Sequence, residues 1–137
     1  DYDILFGRDE LLLEGLRVGA TGAVGSTYNY AAPLYQELIA AFRSGDFDAA
    51  AHQQAQARAF IDVMIRFGGL PAGKAIMKLI GIDCGPVRLP LRRFQAEDEA
   101  ALRAATVESK SMNGALRWSL HSRTRKTALP RGLMVAR

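Results

Sequence analysis

Few residues in this chain have the type and spacing to do chemistry, and the first of them are two neighbouring carboxylates, Asp9 and Glu10. They precede an apolar stretch that begins at Leu11 and has helical character. Carboxylates at the start of a helix stabilise free backbone N–H groups and the helix dipole, so such a pair is more often a cap than a binding site. From the residues alone, both interpretations stay open.

The other candidate groups do not form recognisable sites. Glycines at 19, 22 and 25 lack the spacing of a phosphate-binding Gly-x-Gly-x-x-Gly loop, and a strand rather than a helix follows them. His52 lies in a polar stretch, and His121 has no Cys, Asp or Glu close by in the sequence to complete a ligand set. We therefore expect no nucleotide, no metal and no cofactor.

The lysines offer no clear nucleophile either. Lys74 and Lys78 lie one turn apart on a predicted helix, where mutual repulsion lowers a pKa only slightly. An activated lysine needs burial beside the reacting carbonyl, so no catalytic role is expected for this pair.

Composition limits the class of protein. The 137 residues are 49% apolar and 23% charged, which indicates one globular domain. Cys84 is the single cysteine, which favours a reducing compartment. No apolar run approaches the ~18 residues of a membrane span, and the Asp-Tyr-Asp start has no signal-peptide character, so a cytoplasmic protein without a membrane partner is expected.

The positive charge is confined to the end of the chain. Residues 1–106 contain 11 Lys and Arg against 13 Asp and Glu, whereas residues 107–137 contain seven against one. Any binding to a polyanion would therefore depend on the last segment.

The first third of the chain predicts a β-α-β unit. Strands are expected at Ile4–Gly7 and Gly22–Ser26, with a helix over Leu11–Val18 between them, and this order makes the strands parallel. A loop is predicted over Thr27–Ala32, followed by a helix that carries Pro33 in its first turn and ends at Ser44-Gly45.

Only helices are predicted after that point. One runs from the N-cap Asp46 to about Phe67, a second spans about Ala72–Ile80, and a third begins at Ala96 and ends near Ala105. Cys84–Arg93 is expected to be extended because of its prolines. Parallel strands are usually buried on both faces, and a bare pair would leave both edges of the sheet open. A (β/α)₈ barrel usually needs ~250 residues, so the pattern indicates one end of a larger fold.

Three blocks of sequence resemble the dihydrodipicolinate synthase-like class I aldolase family, and within it the N-acetylneuraminate lyase branch. The first block consists of the strings from Phe6 to Glu10 and from Gly19 to Tyr30, the second is Lys74–Leu79, and the third is Gly85–Leu91. The resemblance covers about residues 3–105 and implies an α/β fold, the C-terminal part of a (β/α)₈ TIM barrel with its last two β/α units and three C-terminal helices. Residues 1–106 would form this portion.

The family resemblance also implies an activity. Members cleave sialic acid to pyruvate and N-acetylmannosamine by a retro-aldol reaction, without a cofactor and usually as homotetramers. Their Schiff-base lysine and proton-relay tyrosine belong to earlier strands, so the isolated 137 residues are expected to lack lyase activity. A complementing N-terminal half, an inactive remnant, or a related enzyme for another 2-keto-3-deoxy sugar acid are the alternatives, the last because Arg8 occupies a variable family position.

The residues implied as site residues lie just past the two strands. An ionised carboxylate accepts hydrogen bonds from vicinal hydroxyls, and a serine hydroxyl donates or accepts, which suits a polyhydroxyl chain. The resemblance implies that hydroxyl groups of the substrate contact Gly7, Asp9, Glu10 and Ser26, and that the pyruvate end is lined by Val24 and Gly25.

Family resemblance fades in residues 107–137, where an irregular basic tail is expected. The favoured interpretation is a rearranged gene end without selected structure, because no repeat or binding motif organises its charges. The alternative is a basic arm for nucleic acid or an anionic surface, in which Arg123, Arg125 and Lys126 contact phosphates and Trp118 stacks on a base.

Overall fold

A parallel pair of short strands brings the ends of two chain segments side by side. In the computed structural model, which describes residues 2–108 and 133–135, β1 (Leu5–Phe6) pairs in parallel with β2 (Gly22–Gly25), with Leu5 opposite Gly22. The predicted parallel β-α-β unit is therefore confirmed.

The connection between these strands contains two helical elements. A single 3-10 turn over Asp9–Leu11 leads directly into α1 (Leu12–Arg17), and Gly19 follows with a positive φ of 93°. Glycine adopts this left-handed backbone conformation without steric cost, which allows the chain to reverse immediately into β2.

The helix after β2 begins earlier than its sequence predicts. α2 (Tyr28–Ser44) includes most of the segment for which a loop is expected, so that expectation is wrong. Ala31 interrupts the helix with φ −125° and ψ 22°, two residues before Pro33, which has no backbone N–H to donate to the preceding turn. Beyond this kink, Pro33 lies in a first helical turn as predicted.

The three following helices agree with their predicted positions to within about three residues. They are α3 (Phe47–Arg66), α4 (Leu70–Leu79) and α5 (Ala96–Glu108). The side chain of Asp46 accepts a hydrogen bond of 3.0 Å from the backbone N–H of Ala49 and so caps α3.

The hydrophobic core lies between the sheet and the helices, and α2 packs along α3. The ring of Tyr30 on α2 meets Phe60 on α3 edge to face, with 5.7 Å between centroids. All five helices contribute side chains that lose essentially all solvent contact, and these are Leu12, Tyr28, Tyr35, Leu38, Gln54, Ile76, Leu102 and Thr106. Within the described part of the chain, no helix has the length and apolar character to cross a membrane.

A third strand comes from the far end of the chain. β3 (Leu133–Val135) pairs in parallel with the edge of β2 that β1 leaves free. The expectation of an irregular tail does not hold at these three residues, because the backbone partners that form the strand are more than 100 positions away. Residues 109–132 lie outside the described residues, and so do Arg123, Arg125, Lys126 and Trp118.

The cap of α3 provides a direct test of the local structure. We expect Asp46→Ala to lower the free energy of unfolding by about 1 kcal/mol, because it removes the acceptor for a helix N–H group. Asp48→Ala, which also removes a carboxylate from the first turn of α3, is the matched control and loses only the dipole interaction of about 0.3–0.5 kcal/mol. Urea unfolding measures both, and equal losses would contradict the capping role.

Candidate functional site

A cavity of about 620 Å³ opens where β1 and β2 end. One wall comes from the segments that follow the two strands and is largely polar. The opposite wall comes from α3 and α4 and is largely apolar. Five of the six residues that the sequence predicts for the site line this cavity, Gly7, Asp9, Glu10, Gly25 and Ser26, whereas Val24 lies in β2 and is not among the lining residues described.

The carboxylate of Asp9 is buried and already has partners within the protein. Its Oδ2 atom accepts a hydrogen bond of 3.1 Å from the backbone N–H of Thr27 and another from the Thr27 hydroxyl. The Thr27 hydroxyl lies 2.7 Å from the hydroxyl of Tyr35, which therefore donates to it. Asp9 thus connects the turn after β1 to the start of α2, and its main role in this structure is to position both.

Gly25 is required by the same contact. A Cβ atom at this position would lie 1.8 Å from Oδ1 of Asp9, closer than any two such atoms can approach. The second oxygen of the carboxylate therefore lies directly against the backbone of β2. A side chain at position 25 would displace it.

Glu10 is the more accessible of the two carboxylates. Its Oε1 atom accepts hydrogen bonds from both Nε and Nη2 of Arg8, at 3.0 and 2.7 Å, while 35% of its side chain is exposed. Two contacts hold the pKa of Glu10 below its ordinary value of 4.5. The larger effect comes from a hydrogen bond with a backbone group, and the smaller from the hydrogen bond with Arg8. Glu10 is therefore an ionised acceptor at neutral pH, with one oxygen engaged by Arg8.

Ser26 is exposed at the mouth of the cavity and has two neighbours on α2. Its carbonyl accepts a hydrogen bond of 2.9 Å from the Asn29 amide, and its hydroxyl bonds to the hydroxyl of Tyr30. Burial raises the pKa of Tyr30 to about 12, against the smaller effect of the bond to Ser26. At neutral pH, Tyr30 is a neutral group that can donate or accept.

Two other tyrosines near the site are also neutral. Burial raises the pKa of Tyr28 and of Tyr35 well above the ordinary value of 10, and the charge of Asp9 adds to the effect. Their rings meet edge to face at 4.4 Å. The buried hydroxyl of Tyr28 has no hydrogen-bond partner among the residues that the structure describes.

Two residues of α3 that the sequence does not predict as site residues support the turn that carries the acidic pair. The buried amide of Gln54 donates to the carbonyl of Asp9 at 3.2 Å and accepts from the backbone N–H of Leu13 at 2.8 Å. Arg58 donates to the carbonyl of Glu10 at 2.8 Å. The only sequence signal for Gln54 is its place on the inward face of a helix, one turn before Arg58.

The two helical lysines both contact other groups of the chain. Lys74 lines the cavity, and its ammonium group donates to the carbonyls of Cys84 and Pro86 at 2.9 and 3.1 Å. Lys78 forms an exposed ion pair of 2.9 Å with Glu99. His52 is exposed and lies 2.7 Å from the amide of Gln56, as expected for a solvated helix residue.

The close approach of Gly25 to Asp9 predicts a large effect of one methyl group. We expect Gly25→Ala to lower the free energy of unfolding by about 2–4 kcal/mol, because it forces the Asp9 carboxylate away from Thr27 and leaves buried polar groups unpaired. Gly7→Ala is the matched control, since its Cβ atom would lie 4.0 Å from the nearest other atom. A Gly25→Ala chain as stable as the Gly7→Ala chain would contradict this geometry.

The ion pair predicts how Glu10 titrates. We expect Arg8→Gln to raise the pKa of Glu10 toward 4.5, because it removes one of the contacts that favour the ionised form. A depressed pKa contributes stability above pH 4.5 that is lost as the pH falls through the folded-state value, so the variant should lose this contribution at a higher pH. The carboxyl carbon resonance of Glu10 measures the pKa. Arg43→Gln, on the far end of α2, should leave it unchanged.

Most of the chain is similar to proteins of one known family. The model of the dihydrodipicolinate synthetase family matches residues 1–109. The chain is 44% identical over 109 residues to N-acetylneuraminate lyase from Mus musculus, a match that covers 75% of this chain and 34% of the mouse protein. It is 39% identical over 105 residues to N-acetylneuraminate lyase from Rhizobium meliloti, covering 77% and 35% of the two chains.

Solved structures give the same result. The N-acetylneuraminate lyase of Proteus mirabilis superposes with a TM-score of 0.74 at 49% identity, over 80% of this chain and 37% of that one. A dihydrodipicolinate synthase from Bacillus anthracis superposes with a TM-score of 0.69 at 29% identity, over 79% and 37%. The chain spans about a third of the length of the relatives that it matches. Because the family model matches most of its residues, the chain belongs to the dihydrodipicolinate synthetase family.

Proposed function

We propose that this chain forms the sugar-acid-binding portion of an aldolase of the N-acetylneuraminate lyase type. The observation that carries the proposal is the cavity that gathers Gly7, Glu10, Gly25 and Ser26 at the carboxyl ends of two parallel strands. Barrel enzymes of parallel β/α units bind their substrates at this end of the strands. Similarity to N-acetylneuraminate lyases supports a sialic acid as the ligand.

The polar wall of the cavity suits a chain of hydroxyl groups. The ionised carboxylate of Glu10 accepts hydrogen bonds, and Ser26 and Tyr30 offer hydroxyls that donate or accept. Adjacent hydroxyls of a glycerol-like chain match such a set of alternating partners. Asp9 contributes differently from Glu10, because its engagement with Thr27 makes it a positioning residue.

In this proposal β1 and β2 are the last two strands of a (β/α)₈ barrel, and α3 to α5 are the helical extension. In the proposed retro-aldol reaction, the keto carbon of the sugar acid forms a Schiff base with a lysine. The carbon–carbon bond breaks as the hydroxyl on its far carbon loses a proton and becomes an aldehyde, and the electron pair moves into the Schiff base to leave the enamine of pyruvate, which is then protonated and hydrolysed. The family resemblance implies that this lysine lies on an earlier strand, outside the portion of the barrel that this chain matches. Binding the hydroxyls orients a substrate but provides no electron sink, so the reaction requires segments other than these residues.

Arg8 supports a second candidate within the same class. Its guanidinium engages one oxygen of Glu10 and thereby changes the acceptor that a sugar acid would meet. A 2-keto-3-deoxy sugar acid with a shorter hydroxyl chain would need fewer acceptors at this wall. A shorter 2-keto-3-deoxy sugar acid is therefore compared with N-acetylneuraminate in the binding experiment below.

Ligand protection tests the proposal. We expect N-acetylneuraminate, at about 100 times its dissociation constant, to raise the free energy of unfolding by about 2.7 kcal/mol. Glu10→Gln should weaken binding about tenfold, because a neutral amide replaces a charged acceptor. Thermal unfolding with and without the ligand measures both quantities, with 2-keto-3-deoxygluconate as the competing ligand.

Glu97→Gln is the matched control, since this glutamate lies in the first turn of α5 and does not line the cavity. It should retain the full protection. Protection by 2-keto-3-deoxygluconate alone would favour the second candidate. No protection by either sugar acid, or equal protection of the Glu10→Gln chain, would overturn the proposed site.

A further inference from the structure

The two outer edges of the strand pair are in different situations. The outer edge of β1, which faces away from β2, pairs with no strand among the described residues. Near this edge, Tyr2, Ile4 and Leu5 are 95, 64 and 40% exposed. On the other side, the edge of β2 is occupied by β3, which comes from the end of the same chain.

The backbone of β3 pairs with β2 in a definite register. It runs parallel to β2 with Leu133 opposite Ala23, Met134 opposite Val24 and Val135 opposite Gly25. The backbone of β3 also lies beside α2, the helix that follows β2. The strand therefore has both a parallel strand partner and a helix neighbour.

A strand that closes a (β/α)₈ barrel has the same two kinds of neighbour. In a barrel of eight parallel β/α units, the last strand pairs in parallel with the first, and the helix after the last strand covers the seam between them. A strand edge can pair with only one further strand, because each backbone N–H and C=O group is used once. If β2 is the last barrel strand, β3 lies where the first one would.

We propose that Leu133–Val135 acts as an internal substitute for the first barrel strand, and that it competes for the edge of β2 with a strand from the remainder of the barrel. The proposal rests on the proposed function, since it takes β2 as the last barrel strand. The partner is defined by its chemistry, a set of parallel β/α units that presents a strand to β1 at one end and to β2 at the other.

The arrangement gives the two edges different roles in assembly. The exposed edge of β1 is available to a partner at once. The edge of β2 becomes available only after β3 has left, and until then β3 prevents it from pairing with a second copy of the chain. Closure of the barrel and retention of β3 are mutually exclusive.

Two variants of the full chain test the competition. Met134→Pro removes the backbone N–H from the middle of β3, and a chain that ends at residue 132 removes the strand altogether. Met134→Val and a chain that lacks only residues 136–137 are the matched controls, because both retain the strand. The probe is the part of Proteus mirabilis N-acetylneuraminate lyase that lies outside the match with this chain.

We expect both strand-disrupting variants to exchange the amide hydrogens of β2 about tenfold faster than the controls in the absence of the probe. With the probe, we expect their dissociation constants to be about tenfold lower than those of the controls. Equal constants, no binding by any variant, or unchanged exchange in β2 would each overturn the proposal.

The outcome is separable from that of the proposed function. Protection of the unmodified chain by N-acetylneuraminate does not require β3 to leave, so it is measured on the same preparations without the probe. Protection without competition would remove only the substitute-strand proposal. Competition without protection by any sugar acid would remove the proposed ligand and leave the pairing of β3 established.

Discussion

The buried carboxylate of Asp9 links the two chain segments that form the polar wall of the cavity. An ionised group away from water is costly unless hydrogen bonds replace its hydration, and here the backbone and the hydroxyl of Thr27 supply them. Tyr35 extends the connection into the core by donating to the same hydroxyl. The distance between the ends of β1 and β2 is thereby fixed, and the backbone of Gly25 can lie directly against the carboxylate.

The helix α3 supports this linkage from the other side. Gln54 satisfies two backbone groups of the acidic turn and of α1 in a site without solvent, and leaving such groups unpaired costs about 1–3 kcal/mol each. Arg58 also forms an ion pair with Glu14, but both side chains are 46% exposed and such pairs contribute little. Its hydrogen bond to the carbonyl of Glu10 matters more for the shape of the turn. The helices that follow the β/α units therefore help to build the site.

Local signals explain which parts of the fold could be predicted. The parallel pair and α3 follow from short apolar runs, glycine stops and the cap at Asp46, all of which act within a few residues. The partners of Gln54 lie 41 and 45 positions away, and the partners of β3 lie still further, so neither could be found from a local pattern. The helical turn before Pro33 was missed because it belongs to a separate short segment that precedes the kink.

The candidate site was predicted to a similar degree. Similarity to a family identified the segments after both strands, and the structure brings five of the six residues to one cavity. The similarity could not distinguish the roles of the two adjacent carboxylates, Asp9 and Glu10. That difference depends on whether each side chain points toward Thr27 or toward Arg8, which neighbouring residues in the sequence do not determine.

The position of Cys84 has a practical consequence. This residue is the only cysteine in the chain, its side chain is exposed, and it lines the wall of the cavity. The carbonyl of the same residue is held by the ammonium group of Lys74, which restrains the backbone at that point. A fluorophore that reacts with thiols would therefore attach at one defined position beside the cavity, and its emission would report directly on what occupies it.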